Sequence, residues 1–211
     1  MESKREDYIT VARNGKPVAK ITLINETPIS KRIGVGKGKF TIYGDFDADG
    51  VTSTSLLYRT FRYLGADVNY FIPDREKEGH GFDTKALVKI MTQVKPKVII
   101  SCDCGISDID AVNFLNSFKI DVIITDHHEA PKELPKAYGI INPKAPNALS
   151  ESLTAKQILS LSSLAGVGVA FKMAQALLEK YNKLEFVSEI LPFVSVGTVA
   201  DLVPLLGHCS D

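Results

Sequence analysis

The sequence predicts an α/β protein: a mostly parallel, doubly wound sheet of about five to six strands flanked by helices, preceded by an N-terminal β-hairpin extension. Three observations lead there. From Phe40 onward, short apolar runs alternate with longer segments of helical period, the pattern of βαβ units. Four runs pass directly into aspartate, in "FTIYGDFDAD", "KVIISCDCG", "DVIITDHH" and "SVGTVADLVP". Ahead of them lies "YITVARNGKPVAKITLINE", two β-rich runs around Asn14 and Gly15, a pair that favours the positive-φ turn of a hairpin.

Taken in order, the hairpin leader is followed by "ISKRIGVGKGK", a glycine- and lysine-rich link. Residues 1–39 are therefore expected as a basic extension and linker, and 40–211 as the main domain. Strands are expected near 40–44, 68–72, 97–102, 120–125, 139–141 and 194–199, where β-branched and apolar residues cluster in short runs. Helices are expected over 51–64, 83–93, 107–117 and 163–181. The last of these contains "AGVGVAFKMAQALLEKY", apolar at helical spacing and mostly core. No internal repeat is evident.

With 211 residues, 45% hydrophobic and 24% charged, the chain has material for one substantial core. No run approaches the roughly 18 apolar residues of a membrane span, and "MESKREDYIT" lacks the apolar stretch of a signal peptide, so a cytoplasmic protein is expected. The 3 cysteines do not form a disulfide framework; Cys102 and Cys104 read as small, semi-buried strand-end residues. The formal net charge is zero but unevenly placed: residues 1–39 hold nine Lys and Arg against four Asp and Glu, leaving 16 against 21 in the remainder. A basic leader on an acidic body can hold a phosphate backbone near a metal-neutralised site, or can simply be a solvated charged face.

In an open parallel sheet, ligand sites lie at the carboxyl ends of the strands, so residues distant in sequence meet there. Asp45, Asp47, Asp49, Asp103, Asp126, His127, His128 and Asp201 are accordingly expected on one rim. So many carboxylates raise one another's pKa unless a cation compensates them. Carboxylate mixed with imidazole and without thiolate suits two Mn²⁺ or Mg²⁺ ions, the arrangement used to cleave phosphoesters. A calcium loop fits less well: Asp45, Asp47, Asp49 and Gly50 match the first half of an EF-hand, but its twelfth position, which needs glutamate, is Leu56. A structural zinc site of Cys102, Cys104, His127 and His128 has a C-x-C spacing tighter than usual and leaves the strand-end acids unexplained.

The ordered motifs "GDFDADGVTST", "PDREKEGHGF", "SCDCGIS", "TDHHEAP", "INPKAP", "LAGVGVAFK" and "VGTVADLVPL" resemble the DHH phosphoesterase superfamily, especially its RecJ-like single-strand-specific DNA exonucleases, over about residues 38–206. The resemblance implies a DHH-type domain in which Asp47 and Asp103 hold one metal ion and Asp49, Asp103, His127 and Asp201 the second. Asp103 would bridge the two ions. It places His128 beside the substrate phosphate, with Asp45 and Asp126 orienting ligands through hydrogen bonds. Arg75 would meet a phosphate, with Gly79 and Gly81 permitting close backbone approach. His80, where relatives often carry tyrosine, would stack on a base or serve the loop's structure. Gly166 and Gly168 would let a helix start press on the site. Lys172 would either reach a phosphate or be a solvated lysine on a packed helix, and the latter reading is preferred.

The implied function is metal-dependent release of 5′-mononucleotides from the 5′ end of single-stranded nucleic acid, DNA favoured over RNA. Relatives continue past "ADLVPL" into a DHHA1-type domain and often an OB-fold, whereas this chain stops at Asp211, so dependence on such a domain or on a repair or replication partner is expected. Two alternatives stand beside it: a short-oligonucleotide or cyclic-dinucleotide phosphodiesterase, and a non-catalytic module of a replication or repair assembly. Family II pyrophosphatase fits less well, since Tyr43 stands where that group carries a histidine.

Overall fold

The structure, a computed structural model, describes residues 8–13, 16–22, 39–149 and 151–204. Strands β1 (Tyr8–Arg13) and β2 (Lys16–Thr22) pair antiparallel as a separate ribbon. Asn14 and Gly15, the expected turn, lie outside the described residues, as do Cys209 and the glycine- and lysine-rich link up to Gly38.

The body is a five-stranded, all-parallel sheet in the order β4-β3-β5-β6-β7. Its strands are β3 (Lys39–Tyr43), β4 (Asp67–Phe71), β5 (Val98–Cys102), β6 (Asp121–Thr125) and β7 (Gly139–Ile141). Both faces are covered, so strands read as near-continuous apolar runs whose alternate residues enter different cores. On one face Phe40, Ile42, Val98, Ile100 and Ile123 pack with α1 (Ala48–Tyr63) and α5 (Gly166–Lys180) through Leu56, Leu57, Phe61, Ala170 and Met173. On the other, Tyr43, Ile99, Val122 and Ile124 pack with Leu87 and Ile90 of α2 (Thr84–Gln93) and Val112 and Leu115 of α3 (Ile109–Ser117). Two further helices, α4 (Ala155–Ser162) and α6 (Val187–Ala200), complete the body.

Local signals set the helix starts. Asp47 caps α1 by accepting from Gly50 N–H at 2.9 Å, and Asp83 caps α2 through Ala86 N–H at 2.8 Å. Thr154 and Gln157 form a capping box on α4, a helix the sequence reading missed although "TAKQ" carries its signature.

One expected strand is a helix. Residues 194–199, "VSVGTV", are β-branched and read locally as strand, but they lie in the second half of α6. Helix α6 packs against α1 and α5, and Gly197 is the point of closest approach: a Cβ there would stand 2.3 Å from Thr52 Oγ1 and 2.8 Å from Val167 Cγ1. Burial of one apolar face against two helices overrides β propensity. Asp201 therefore reaches the rim as the C-cap of a helix rather than the end of a strand. Among the described residues, no single helix is long and apolar enough to cross a membrane.

Candidate metal centre

Between β3 and β5 the sheet reverses direction of winding, and the loops leaving their carboxyl ends separate to form a crevice. The loop after β3 is tightly folded: a Cβ on Gly50 would lie 2.6 Å from the Asp45 carbonyl oxygen, so only glycine fits the start of α1. This geometry places Asp45 and Asp49 inward, both buried, while Asp47 stays exposed at the helix cap.

Asp103 follows β5 in the left-handed region, with φ 62°, an unusual conformation for a non-glycine residue. Its N–H donates to Thr125 O at 2.9 Å, tying the turn to β6. Gly166, at the start of α5, packs directly on it: a Cβ there would stand 2.6 Å from Asp103 Oδ1.

After β6, Asp126 organises the two histidines. Its carboxylate, 1% exposed, accepts from Ile106 N–H at 3.0 Å, His127 N–H at 2.7 Å and His128 N–H at 3.1 Å, and lies 2.8 Å from His128 Nδ1. Burial pushes the Asp126 carboxyl up, but the His128 hydrogen bond and the backbone N–H groups outweigh it and hold it below the usual range. The same hydrogen bond to Asp126 pushes the His128 imidazole up to about 9. With Nδ1 held, the exposed His128 ring turns Nε2 away from its anchor.

His127 is buried and its Nδ1 lies 3.1 Å from Leu164 O. A carbonyl only accepts, so Nδ1 is assigned the proton. His127 Nε2 lies 3.1 Å from Asp103 Oδ1 and 3.8 Å from Asp49 Oδ2. In the neutral ring that nitrogen carries a lone pair facing carboxylate oxygen, an arrangement that repels unless a proton or a cation lies between.

Burial pushes Asp103 up to about 7, with Asp49 and Asp47 adding repulsion against the pull of His127. Burial likewise pushes Asp49 up to about 6, against the amide of Val167 and the His127 ring.

Among the described residues, the candidate liganding atoms fall into three groups whose members lie within 4.8 Å of one another: Asp45, Asp47 and Asp103; Asp49, His127 and Asp201; and Asp103, His127 and His128. Asp45 Oδ1, Asp103 Oδ1 and Asp201 Oδ2 are buried without a hydrogen-bond partner. Converging buried acceptors that lack donors fit a cation. The donors are oxygen and imidazole nitrogen; buried Cys102 and Cys104 join none of these groups. Such a donor set fits Mn²⁺ or Mg²⁺.

The crevice continues into a cavity of about 380 Å³ bordered by Asp45, His80, Gly81, Asp103, Asp126 and His128 among others. Exposed His80 lies over Phe46, ring centroids 4.4 Å apart, and its Nδ1 stands 3.2 Å from Asp45 Oδ2. The two ring planes are inclined by 49°, and the Arg75 guanidinium lies 5.3 Å from the Phe46 ring centroid. Gly79 and Gly81 both take positive φ, which shapes the loop. Arg75 and Gly79 do not border the cavity, and Lys172 lies in the interior of α5 with its ammonium 5.7 Å from the Phe171 ring. Gly168 packs on the Leu164 side chain, with a would-be Cβ 3.0 Å from Leu164 Cδ2. Sequence reasoning missed Phe46, hidden between two aspartates that drew the attention, and Asp108, which lines the cavity and accepts from Phe82 N–H at 3.0 Å.

A parallel sheet gathers carboxylates and two histidines at its switch point, and comparison gives the chain a family. The model of the DHH family, N-terminal domain, matches residues 39–198, and the chain belongs to that family. Among its relatives, the single-stranded-DNA-specific exonuclease RecJ of Bacillus subtilis is 44% identical over 167 residues, 79% of this chain and 19% of the relative. A solved exonuclease RecJ bound to manganese superposes with a TM-score of 0.70 at 32% identity, over 82% of this chain and 41% of the other. RecJ from Thermus thermophilus, in complex with Mn²⁺, gives 0.68 at 28% identity, over 86% and 24%. The chain thus spans between 19% and 41% of the length of each.

Proposed function

We propose that this domain is a metal-dependent phosphodiesterase of the RecJ type, acting on single-stranded DNA from the 5′ end and releasing 5′-mononucleotides. The observation that carries it is Asp103, which belongs to two of the three candidate ligand groups and keeps a buried oxygen, Oδ1, without a hydrogen-bond partner. Asp47 and Asp103, with Asp45 adjacent, would hold one ion; Asp49, Asp103, His127 and Asp201 the second. Bound Mn²⁺ or Mg²⁺ supplies positive charge for the phosphoryl oxygens and acidifies a water molecule.

The chain's own residues do the rest. Leu164 O holds His127 with Nε2 toward Asp103. Asp126 fixes His128 through Nδ1 and favours its protonated form, which would leave Nε2–H of this exposed ring as a donor for a phosphate oxygen. His80, tilted against Phe46, would offer a ring for a base, and Arg75 a bidentate donor for a flanking phosphate. Lys172 is assigned to packing. We take residues 40–211 as the catalytic domain and 1–39 as its extension, working in the cytoplasm. The grip on a long strand is assigned to a further domain or a partner protein, as the greater length of the relatives suggests.

The test is incubation of the 1–211 chain with 5′-labelled single-stranded DNA and Mn²⁺, beside Asp103→Ala. Labelled mononucleotide from wild type alone supports the proposal. No release from strands, dinucleotides or cyclic dinucleotides, with Mn²⁺ binding intact, would move the domain to a non-catalytic role.

A further inference from the structure

Asp49 is placed as an ion ligand, yet its carboxylate is already engaged. Oδ2 accepts from Gly166 N–H at 2.6 Å and Oδ1 from Val167 N–H at 2.8 Å. These are the first amides of α5, whose own N-cap residue, Ala165, provides no side-chain acceptor. Helix α5 is therefore capped from α1, by a residue 117 positions away in sequence. The carboxylate also meets the positive end of the helix dipole. Gly197 of α6 leaves it room: a Cβ there would stand 3.1 Å from Asp49 Oδ1.

Residues 164–167, which enter α5, touch the rest of the site. Leu164 O accepts a hydrogen bond from His127 Nδ1–H, and Gly166 backs onto Asp103. Displacing this segment would release the His127 ring and unseat Asp103 together.

We propose that Asp49 is a positioning residue: by anchoring the start of α5 it fixes the orientation of His127 and the seat of Asp103, independently of any ion. The catalytic consequence rests on the function proposed above; the anchoring does not. Asp103 and Asp201 differ in kind: each keeps a buried oxygen without a hydrogen-bond donor, Asp103 Oδ1 at 3.1 Å from His127 Nε2 and Asp201 Oδ2 at 3.8 Å from its Nδ1, and the neighbouring carboxylates repel them when no cation is present.

Thermal melting of the full chain in EDTA separates the two kinds of carboxylate. Asp49→Ala is expected to melt about 5 to 10 °C below wild type, the scale set by two buried amides losing their acceptors in a domain of this size. Asp201→Asn is expected to melt at or above wild type. Asp49→Asn retains one acceptor oxygen and is expected to recover part of the loss. In ¹⁵N-histidine spectra the Nδ1-bound proton of His127 is expected to exchange slowly in wild type and Asp201→Asn, and at least tenfold faster in both Asp49 variants. Should Asp49→Ala not fold, Asp49→Asn carries the same comparison. An Asp49 variant that melts like Asp201→Asn with the His127 proton still protected overturns the proposal. Because both readouts are taken without metal or DNA, absence of nuclease activity would refute the proposed substrate and leave this result standing.

Discussion

His127 Nε2 stands 3.1 Å from Asp103 Oδ1, with the opposite nitrogen of the ring committed to the Leu164 carbonyl. An unprotonated imidazole and a carboxylate at that distance need a cation between them, and without one the pair must take up a proton. Stability of the metal-free protein should report this. The folded-state values of Asp103 and Asp49, about 7 and about 6, lie above the ordinary 3.8, so the folded state holds protons that the unfolded state has released. Their contribution is full below about pH 4 and declines as pH rises to about 7. His128 works in the same direction: held at about 9, it stabilises below the ordinary 6.5 and loses that contribution as pH rises through its folded value. The EDTA-treated protein is therefore expected to melt lower at pH 8 than at pH 5.5, and added Mn²⁺ to reverse the order. A melting curve in EDTA that rises over this range would contradict the assignment.

Substituting Gly166 by alanine would put a Cβ 2.6 Å from Asp103 Oδ1 and 2.9 Å from its Cβ, with no flexible chain to give way. Asp103, held by its backbone to Thr125, must shift. Loss of about 1–3 kcal/mol from overpacking is expected in urea unfolding, along with at least tenfold weaker Mn²⁺ binding by calorimetry. Gly168→Ala meets only the Leu164 side chain, at 3.0 Å, and should cost less.

Removing Asp126 leaves buried amides of Ile106 and His127 without acceptors and frees His128 to rotate. Asp126→Ala is expected to lose about 3–5 kcal/mol of stability, the range for breaking a buried, hydrogen-bonded charge. In His128→Gln the fold should survive, and any nuclease activity should fall by about 10²-fold in kcat with little change in KM. Steady-state kinetics would decide it; an effect confined to KM would make His128 a binding residue.

Asp108 tethers the loop that carries His80 through the Phe82 amide. Asp108→Ala should lower stability by about 1 kcal/mol and raise KM for oligonucleotides several-fold while leaving kcat near wild type. Equal losses in kcat would show that the tether acts on the chemistry instead.

The five-stranded parallel sheet was legible because each strand carries its own apolar run, and strand ends meet at the same rim whatever their order. The sequence reading assembled Asp45, Asp47, Asp49, Asp103, Asp126, His127, His128 and Asp201 at one edge, and the structure brings all of them there, although it assumed a strand before Asp201 that is a helix. That error had a cause invisible to local pattern: "VSVGTV" is helical only because α1 and α5 press on it at Gly197. Phe46 and Asp108 were missed for a related reason, since neither has a sequence signal apart from the loop it meets across the crevice. The amides that occupy Asp49 were likewise out of reach, because a cap donated from 117 residues away leaves no mark near the helix it caps.

Asp103 joins two of the three ligand groups and takes an αL backbone that its neighbours in space enforce. On the ligand assignment proposed above, one codon change at this position would strike both ion sites at once, whereas a change at Asp47 or Asp201 would strike one. A descendant retaining Asp103 beside an altered Asp47 or Asp201 would, by contrast, mark a site under repair or retuning. Reading those three positions together in any related chain distinguishes disuse from adaptation.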